Sequence, residues 1–491
     1  MHYYAKLSLV LVCGVYFAHC NPLDDYVFKD DGYFTYTLLR DKTYKANFHT
    51  TYFLNMTSQK WLTENDTDRS IWWHWLVVNI PDEFDPSMAN SGYLLIDGGD
   101  NDNTEQIPDV TDTFVAMTGL MADATMSVTA DLKQIPNQHL IFKKDATKQR
   151  RSEDAIIAYT WRHFLDNPSQ PEWLLRLPMT KAAVKAMDAI TDFVNKTVGK
   201  NIENFCVGGA SKRGWTTWTT GAVDKRVKCI TPIVMDELNM VKNLHHHYRA
   251  YGGWSFAFND YYKENLTRDI DNPNMVPMAA IIDPLSYADR LTMPKMVFST
   301  GGDEFFLPDD SHYYFSAMKG PMYVNMLPNA EHSCAGHEMQ LMFNIQAFYM
   351  SVMKGLKLPK ISWILYNTAT GGGIDVTSDT TPTLVRAWSA VSVSNTRRDF
   401  RLLKANISNP LGDPIVQANI WHHYDVESMG NMKYRATFNT PLNGHWRAFF
   451  IQMTFPGPNG TMLEMTTETK IIPDKFPFQE CHMDGCKGDL V

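Results

Sequence analysis

From about residue 21 to 358, short apolar runs alternate with amphipathic stretches, and this alternation predicts a mostly parallel sheet covered on both faces by helices. The runs at 71–80, 92–96, 205–208, 227–234, 295–300 and 322–327 have the length and texture of strands. Between them, 153–165 carries Ile156, Ala158, Trp161 and Leu165 at helical spacing. The stretch 180–194 opens with Thr180 as a capping residue before a long amphipathic run, and 338–353 supplies a further helix. From about Pro359 the texture changes to short β-branched and aromatic segments at 362–366, 383–393, 415–421, 433–438, 446–455 and 462–471. Gly, Asn, Asp and Pro separate them, with turns expected at Gly371–Gly373 and at Asn443-Gly444, so this part predicts a small all-β, sandwich-like domain without helices.

The two ends of the chain add detail. Residues 1–20 combine a weakly basic start ending at Lys6, an apolar run from Leu7 to Ala18 and small or neutral residues before Asn21, the make-up of a secretory signal peptide. The predicted organisation is a signal peptide at 1–20, an α/β domain at 21–358, a β domain at 359–475 and a tail at 476–491. No later run approaches the roughly 18 apolar residues of a membrane span. A net charge of -9 over 491 residues gives no basic footprint for nucleic acid or an anionic membrane. The expectation is therefore a secreted, extracellular protein. Sequons at Asn55, Asn65, Asn195, Asn265, Asn406 and Asn459 fit that compartment as glycosylation sites.

Loss of the leader removes Cys13 and Cys20 and leaves Cys206, Cys229, Cys334, Cys481 and Cys486, an odd number that requires at least one free thiol. Cys481 and Cys486, in a polar tail, predict a local disulfide. Cys206 and Cys229 fall in apolar strands and read as buried free thiols.

The candidate chemistry centres on Phe205-Cys-Val-Gly-Gly-Ala-Ser211-Lys-Arg-Gly, an apolar strand, a small-residue turn bearing one serine, and a helix start. That is the form of a nucleophile elbow, although with G-x-S-x-x-G in place of G-x-S-x-G. A serine nucleophile needs a base and an acid to orient it, which in α/β-hydrolases follow in the order Ser, Asp or Glu, His on loops after later strands. The strand at 295–300 leads into Gly-Gly-Asp303-Glu304, and the strand at 322–327 leads into Pro-Asn-Ala-Glu-His332. Ser211, Asp303 and His332 thus form the candidate triad; Asp303 is preferred to Glu304 because it follows the glycine pair directly, and Asp236, at the end of an earlier strand, is the alternative acid. The backbone N–H of Lys212 and one from Gly98 or Gly99, after the strand 92–96, are the expected oxyanion donors. The aromatic-rich insertion 239–287 is the expected cap over a substrate pocket.

Other conspicuous groups carry plainer expectations. His245-His-His247 predicts a solvated loop, Trp215 and Trp218 predict packing residues, and Asp309-Asp310 and Asp100–Asp102 lack an EF-hand spacing. No metal and no cofactor is expected.

The elbow G-A-S-K-R-G-W-T-T-W at 209–218, together with L-L-I-D-G-G at 94–99, Q-I-P-N-Q at 134–138, E-D-A-I-I-A-Y-T-W at 153–161 and G-G-D-E-F-F at 301–306, resembles the PhoPQ-activated pathogenicity-related proteins. The resemblance covers nearly the whole mature chain. It implies an α/β-hydrolase-like domain followed by a β-rich domain in a secreted protein, with Ser211, Asp303 and His332 as nucleophile, acid and base. The family is tied to regulation and growth repression and names no substrate. Two functions follow: a secreted serine hydrolase acting on an ester or peptide bond of a small molecule or peptide, or a secreted signalling protein that uses the fold as a scaffold for a cell-surface receptor.

Overall fold

The computed structural model describes residues 21–406, 408 and 413–491. Residues 1–20, the expected leader, lie outside the described residues. Seventeen labelled strands follow in chain order: β1 (His49–Lys60), β2 (Ile71–Pro81), β3 (Ser91–Ile96), β4 (Val128–Leu132), β5 (Asn204–Ala210), β6 (Val227–Ile233), β7 (Lys295–Thr300), β8 (Met322–Leu327), β9 (Ile361–Asn367), β10 (Gly371–Ser378), β11 (Leu384–Val391), β12 (His422–Tyr424), β13 (Glu427–Gly430), β14 (Lys433–Asn439), β15 (Arg447–Pro456), β16 (Met462–Thr466) and β17 (Lys470–Ile472). The principal helices are α1 (Thr113–Thr125), α2 (Glu153–Asp166), α3 (Arg176–Val198), α4 (Lys212–Val223), α5 (Met240–Tyr251), α6 (Met275–Ile282) and α7 (Glu338–Met353). No helix among the described residues is long and apolar enough to cross a membrane.

The strands β1-β2-β4-β3-β5-β6-β7-β8 lie side by side in that order. From β4 to β8 every neighbouring pair is parallel, and β1 and β2 run antiparallel at one edge. Side chains alternate across the sheet as the pleat requires: Phe205 and Val207 of β5 enter the core on one face, Cys206 the core on the other. Helices α3 and α4 cover the first face, α1 and α7 the second. This is an α/β-hydrolase-type sheet. The corner carrying Ser211 follows β5, and the loops after β7 and β8 emerge beside it.

The strands beyond residue 358 take two places. β16, β15, β11 and β12 continue the main sheet beyond β8, while β9, β10, β14 and β13 form a separate antiparallel sheet. A single buried cluster joins Phe298 of β7 and Phe348 of α7 to Ile374 of β10, Ala436 of β14 and Ile451 of β15. The two sheets therefore share a core with the α/β part, and each buried large apolar side chain there contributes about 1.5–3 kcal/mol.

Several local expectations change. β1 and β4 were not foreseen, because β1 is interrupted by polar residues and β4 buries Asp131 against Lys133 at 3.0 Å. Helix α3 begins at Arg176, so Thr180 is interior, its hydroxyl donating to the Arg176 carbonyl at 2.8 Å, and is no cap. Pro178 is tolerated because it falls in the first turn, where N–H groups lack helical partners. The run 415–421 keeps only Ile415–Val416 as strand, and 462–471 divides into β16 and β17. Gly371–Gly373 is the start of β10 and no turn: a Cβ on Gly371 would stand 2.0 Å from the Phe438 carbonyl oxygen, so the glycines permit close strand pairing. Asn443 and Gly444, both at positive φ, form the expected turn between β14 and β15.

Cys206 and Cys229, expected as free thiols, form a disulfide across the adjacent parallel strands β5 and β6, with Cα atoms 4.6 Å apart. Their register makes them direct neighbours, which two separate strands in a sequence do not reveal. Cys481 and Cys486 are also bonded, and Cys334 is a buried free thiol. Peptide mapping without reduction should recover Cys206 linked to Cys229 and Cys481 linked to Cys486, and among cysteines beyond residue 20 only Cys334 should alkylate after denaturation. Alkylation of Cys206 or Cys229 without reductant would contradict this pairing.

Candidate active site

The corner between β5 and α4 sets the site. Ser211 has φ 56° and ψ -125°, a conformation that non-glycine residues rarely adopt. It is fixed on both sides: its N–H donates to the Ile233 carbonyl at 2.8 Å, and its own carbonyl accepts from Trp215 N–H at 3.0 Å. The small neighbours are a steric necessity. A Cβ on Gly209 would lie 2.9 Å from the carbonyl oxygens of Ile96 and Arg213, and one on Gly214 would lie 2.9 Å from the Ile233 oxygen and the Met235 side chain. The second glycine falls one residue later than in G-x-S-x-G because Gly214 is where α4 crosses β6.

The corner presents the Ser211 hydroxyl to His332, whose Nε2 lies 2.8 Å from Oγ. On the far side of the ring, Nδ1 lies 3.0 and 2.9 Å from the two oxygens of Asp303. Asp303 is buried and anchored by the N–H groups of Phe305 and Phe306, at 2.7 and 3.1 Å, and by the Thr300 hydroxyl at 3.2 Å. Burial alone would lower the His332 pKa, but the neighbouring Asp303 charge outweighs it, and the imidazole is raised above its usual 6.5. Glu304 accepts the His332 backbone N–H at 3.1 Å, and burial together with Asp303 pushes its carboxyl up to about 7.

Asp236, the rival acid, is held by the Ser299 hydroxyl at 3.0 Å and has no hydrogen bond to His332 among the described residues. Burial first, then the charge of Asp303, raises its carboxyl to about 7.

The acid loop is held from a direction that no sequence pattern announces. The Gly301 and Gly302 turn packs against the C-terminal part of the chain, with Leu402 N–H donating to the Gly302 carbonyl at 2.9 Å and the Trp421 indole to that of Gly301 at 3.2 Å. A Cβ on Gly302 would meet the Leu402 side chain at 2.4 Å. Asn329, on the histidine loop, exchanges two bonds with the Trp421 backbone, at 2.7 and 3.1 Å.

Of the expected oxyanion donors, Lys212 is the first residue of α4, next to Ser211 and at a positive helix end. Its side chain is turned away, to Glu153 and Asp154 at 3.0 Å each. The Gly98 N–H is taken by the Asp97 carboxylate at 2.6 Å, which Lys133 holds at 2.7 Å, and both glycines line a different cleft with Trp75 and Gln134. The Arg213 guanidinium stands where a Gly98 Cβ would point, 2.9 Å away.

Arg213 belongs to a network that sequence reasoning missed. It pairs with Glu153, which also accepts from Gln138 at 2.6 Å and pairs with Lys212. Burial opposes ionisation of Glu153, but Arg213 and Lys212 outweigh it and hold its carboxyl at about 2. The motifs at 134–138 and 153–161 were the available signal, and their job here is to clamp the start of α4.

Ser211 faces a cavity of about 40 Å³ between the sheet and the 239–287 insertion. Trp161, Trp215, Trp254, Phe258, Tyr261 and Phe305 contribute an aromatic part of its wall. Trp215, expected only to pack, therefore also faces the cavity, while Trp218 is fully buried core. The three histidines occupy the buried face of α5 and no solvated loop, because each finds a partner: His245 pairs with Asp271 at 3.0 Å, His246 with Asp310 at 2.9 Å, and His247 accepts from Ser255 N–H at 3.0 Å. Asp309 is likewise engaged, by Arg398 at 2.9 Å, and Asp102 by Arg69 at 3.2 Å. Five sequon asparagines, Asn55, Asn65, Asn195, Asn265 and Asn459, are exposed, and Asn406 is half-buried.

The family model of the PhoPQ-activated pathogenicity-related protein matches residues 23–401. Autocrine proliferation repressor protein A of Dictyostelium discoideum is 38% identical over 501 residues, an alignment covering 98% of this chain and 97% of that protein. Among solved structures, the acetyl xylan esterase from Paenibacillus sp. R4 aligns with a TM-score of 0.45 at 14% identity, over 67% of this chain and 92% of its own. The acylaminoacyl peptidase of Pyrococcus horikoshii aligns with a TM-score of 0.38 at 11% identity, over 64% of this chain and 49% of its own. By the extent of the family match and an identity sustained along nearly its whole length, this chain belongs to the PhoPQ-activated pathogenicity-related protein family.

Proposed function

We propose that this protein is a secreted serine hydrolase that cleaves an ester or peptide bond through an acyl-enzyme. The observation that carries the reading is the unbroken hydrogen-bonded line from Ser211 Oγ through both nitrogens of His332 to Asp303, at 2.8 and 2.9 Å, at the edge of a cavity. His332 takes the Ser211 proton as the oxygen attacks the carbonyl carbon, and returns it to the leaving alcohol or amine. Water then attacks the acyl-enzyme with His332 again as base. Asp303 fixes the tautomer and offsets the imidazolium charge. The Lys212 N–H, first of α4 and next to Ser211, is the proposed donor to the developing oxyanion. A leader at 1–20, exposed sequons and two disulfides support secretion into an oxidising compartment.

A second reading, a signalling protein using the fold as a binding scaffold, draws on the name of the 38% identical relative, an autocrine proliferation repressor. Turnover separates the two. Ser211→Ala should lower kcat on an activated ester by about 10³-fold or more, and Asp303→Asn by about 10³–10⁴-fold, with folding unchanged by circular dichroism. Equal turnover by Ser211→Ala would remove the mechanism.

The pH profile gives an independent check. A base with a raised pKa is protonated, and inactive, below that pKa, so kcat/KM should fall on the acid side with a midpoint above 6.5. Glu304 titrates close by, at about 7, so Glu304→Gln is the control and should keep an acid limb. In Asp303→Asn the limb should move to lower pH. A limb unmoved in Asp303→Asn but abolished in Glu304→Gln would reassign the titrating group.

A further inference from the structure

Glu237 is the one wall residue of the Ser211 cavity that the proposed mechanism leaves unexplained. It is about nine-tenths buried, and among the described residues its carboxylate has no hydrogen bond and no ion pair. The other carboxylate on the cavity wall, Asp154, is already neutralised: Lys212 lies 3.0 Å away and the Tyr261 hydroxyl donates to it at 2.9 Å. A carboxylate buried without a partner is costly, so such a group persists where a counter-charge comes from outside. Much of the surrounding wall is aromatic, with Trp161, Trp215, Trp254, Phe258, Tyr261 and Phe305 among its residues, and ring faces attract cations.

We propose that this cavity is a recognition pocket for an ammonium group, held by Glu237 inside an aromatic box of Trp161, Trp215, Trp254, Phe258, Tyr261 and Phe305, so that the preferred substrates are small esters carrying a quaternary or protonated amine. The substrate class rests on the hydrolase reading of Ser211; the cation pocket does not. A cavity of about 40 Å³ restricts the cation to a compact one.

The electrostatics agree. Burial, with Asp236 on its own segment and Asp283 of the insertion, holds the Glu237 carboxyl well above the usual carboxylate range. Tyr261, which feels the Glu237 charge, and the Asp154–Lys212 pair share the wall with it, and Arg176 lies over the Trp215 ring at 4.6 Å. A cation bound beside Glu237 favours the ionised form of its raised carboxyl, so affinity rises with pH.

Binding is tested first without turnover. Tetramethylammonium added to the full-length Ser211→Ala protein should quench tryptophan fluorescence saturably, more tightly as pH rises. Adding Glu237→Gln should weaken it by about tenfold or more, and Glu237→Asp, which keeps the charge, should retain most of it. No saturable quenching, or binding indifferent to Glu237→Gln, overturns the pocket.

Turnover is then compared for acetylcholine and its uncharged isostere 3,3-dimethylbutyl acetate. The wild type should favour the cationic ester in kcat/KM by about tenfold, and Glu237→Gln should bring the ratio toward one. Turnover of both esters without preference overturns the cation pocket and leaves the hydrolase reading standing. Binding that depends on Glu237 without turnover of either ester overturns the cationic-ester substrate class and leaves the pocket, while the Ser211 activity on an activated ester decides the hydrolase reading separately.

Discussion

The backbone conformation of Ser211 is the constraint on which the site depends. At φ 56° a serine carries a strain of about 1–3 kcal/mol, and it stays there only because the surroundings leave no other path from β5 into α4. The β6 backbone takes the Ser211 N–H, α4 takes its carbonyl, and the absent side chains of Gly209 and Gly214 are replaced by carbonyl oxygens at contact distance. The Cys206–Cys229 bond ties the two strands beneath this corner. From that position the hydroxyl meets a histidine delivered by a loop three strands away along the sheet.

The second requirement is that the histidine be oriented and its charge supported. Asp303 does this from a loop whose shape is imposed from outside the α/β region, by Leu402 and Trp421. The C-terminal strands thus act on the site through packing: they extend the sheet past β8 and lay two residues against the acid and histidine loops. The price of so many nearby carboxylates is visible in Asp236 and Glu304, both raised to about 7, and cations are interleaved to match: Arg398 and His246 at Asp309, Arg401 at Asp399.

Much of this was legible in the sequence because it is local. The elbow, the strands at 295–300 and 322–327 and the order of Ser211, Asp303 and His332 depend on short-range texture and chain order, and the structure joins the three side chains as that order implied. What escaped was non-local or depended on partners. Two cysteines 23 residues apart become neighbours only through strand register. The histidines on α5 are polar letters in a row, and their burial follows from carboxylates supplied by distant segments. The partners of the Gly98 loop are equally non-local: Arg213 stands 2.9 Å from where a Gly98 Cβ would lie. The Glu153 clamp is spread over three segments and carries no signature in any one of them.

Covalent labelling tests the central claim most directly. The account predicts that a fluorophosphonate reacts with the folded protein to give a single adduct, detected by intact mass and mapped to the peptide containing Ser211, and that denaturation beforehand abolishes it. A folded protein that stays unlabelled, or an adduct that persists in Ser211→Ala, would contradict it.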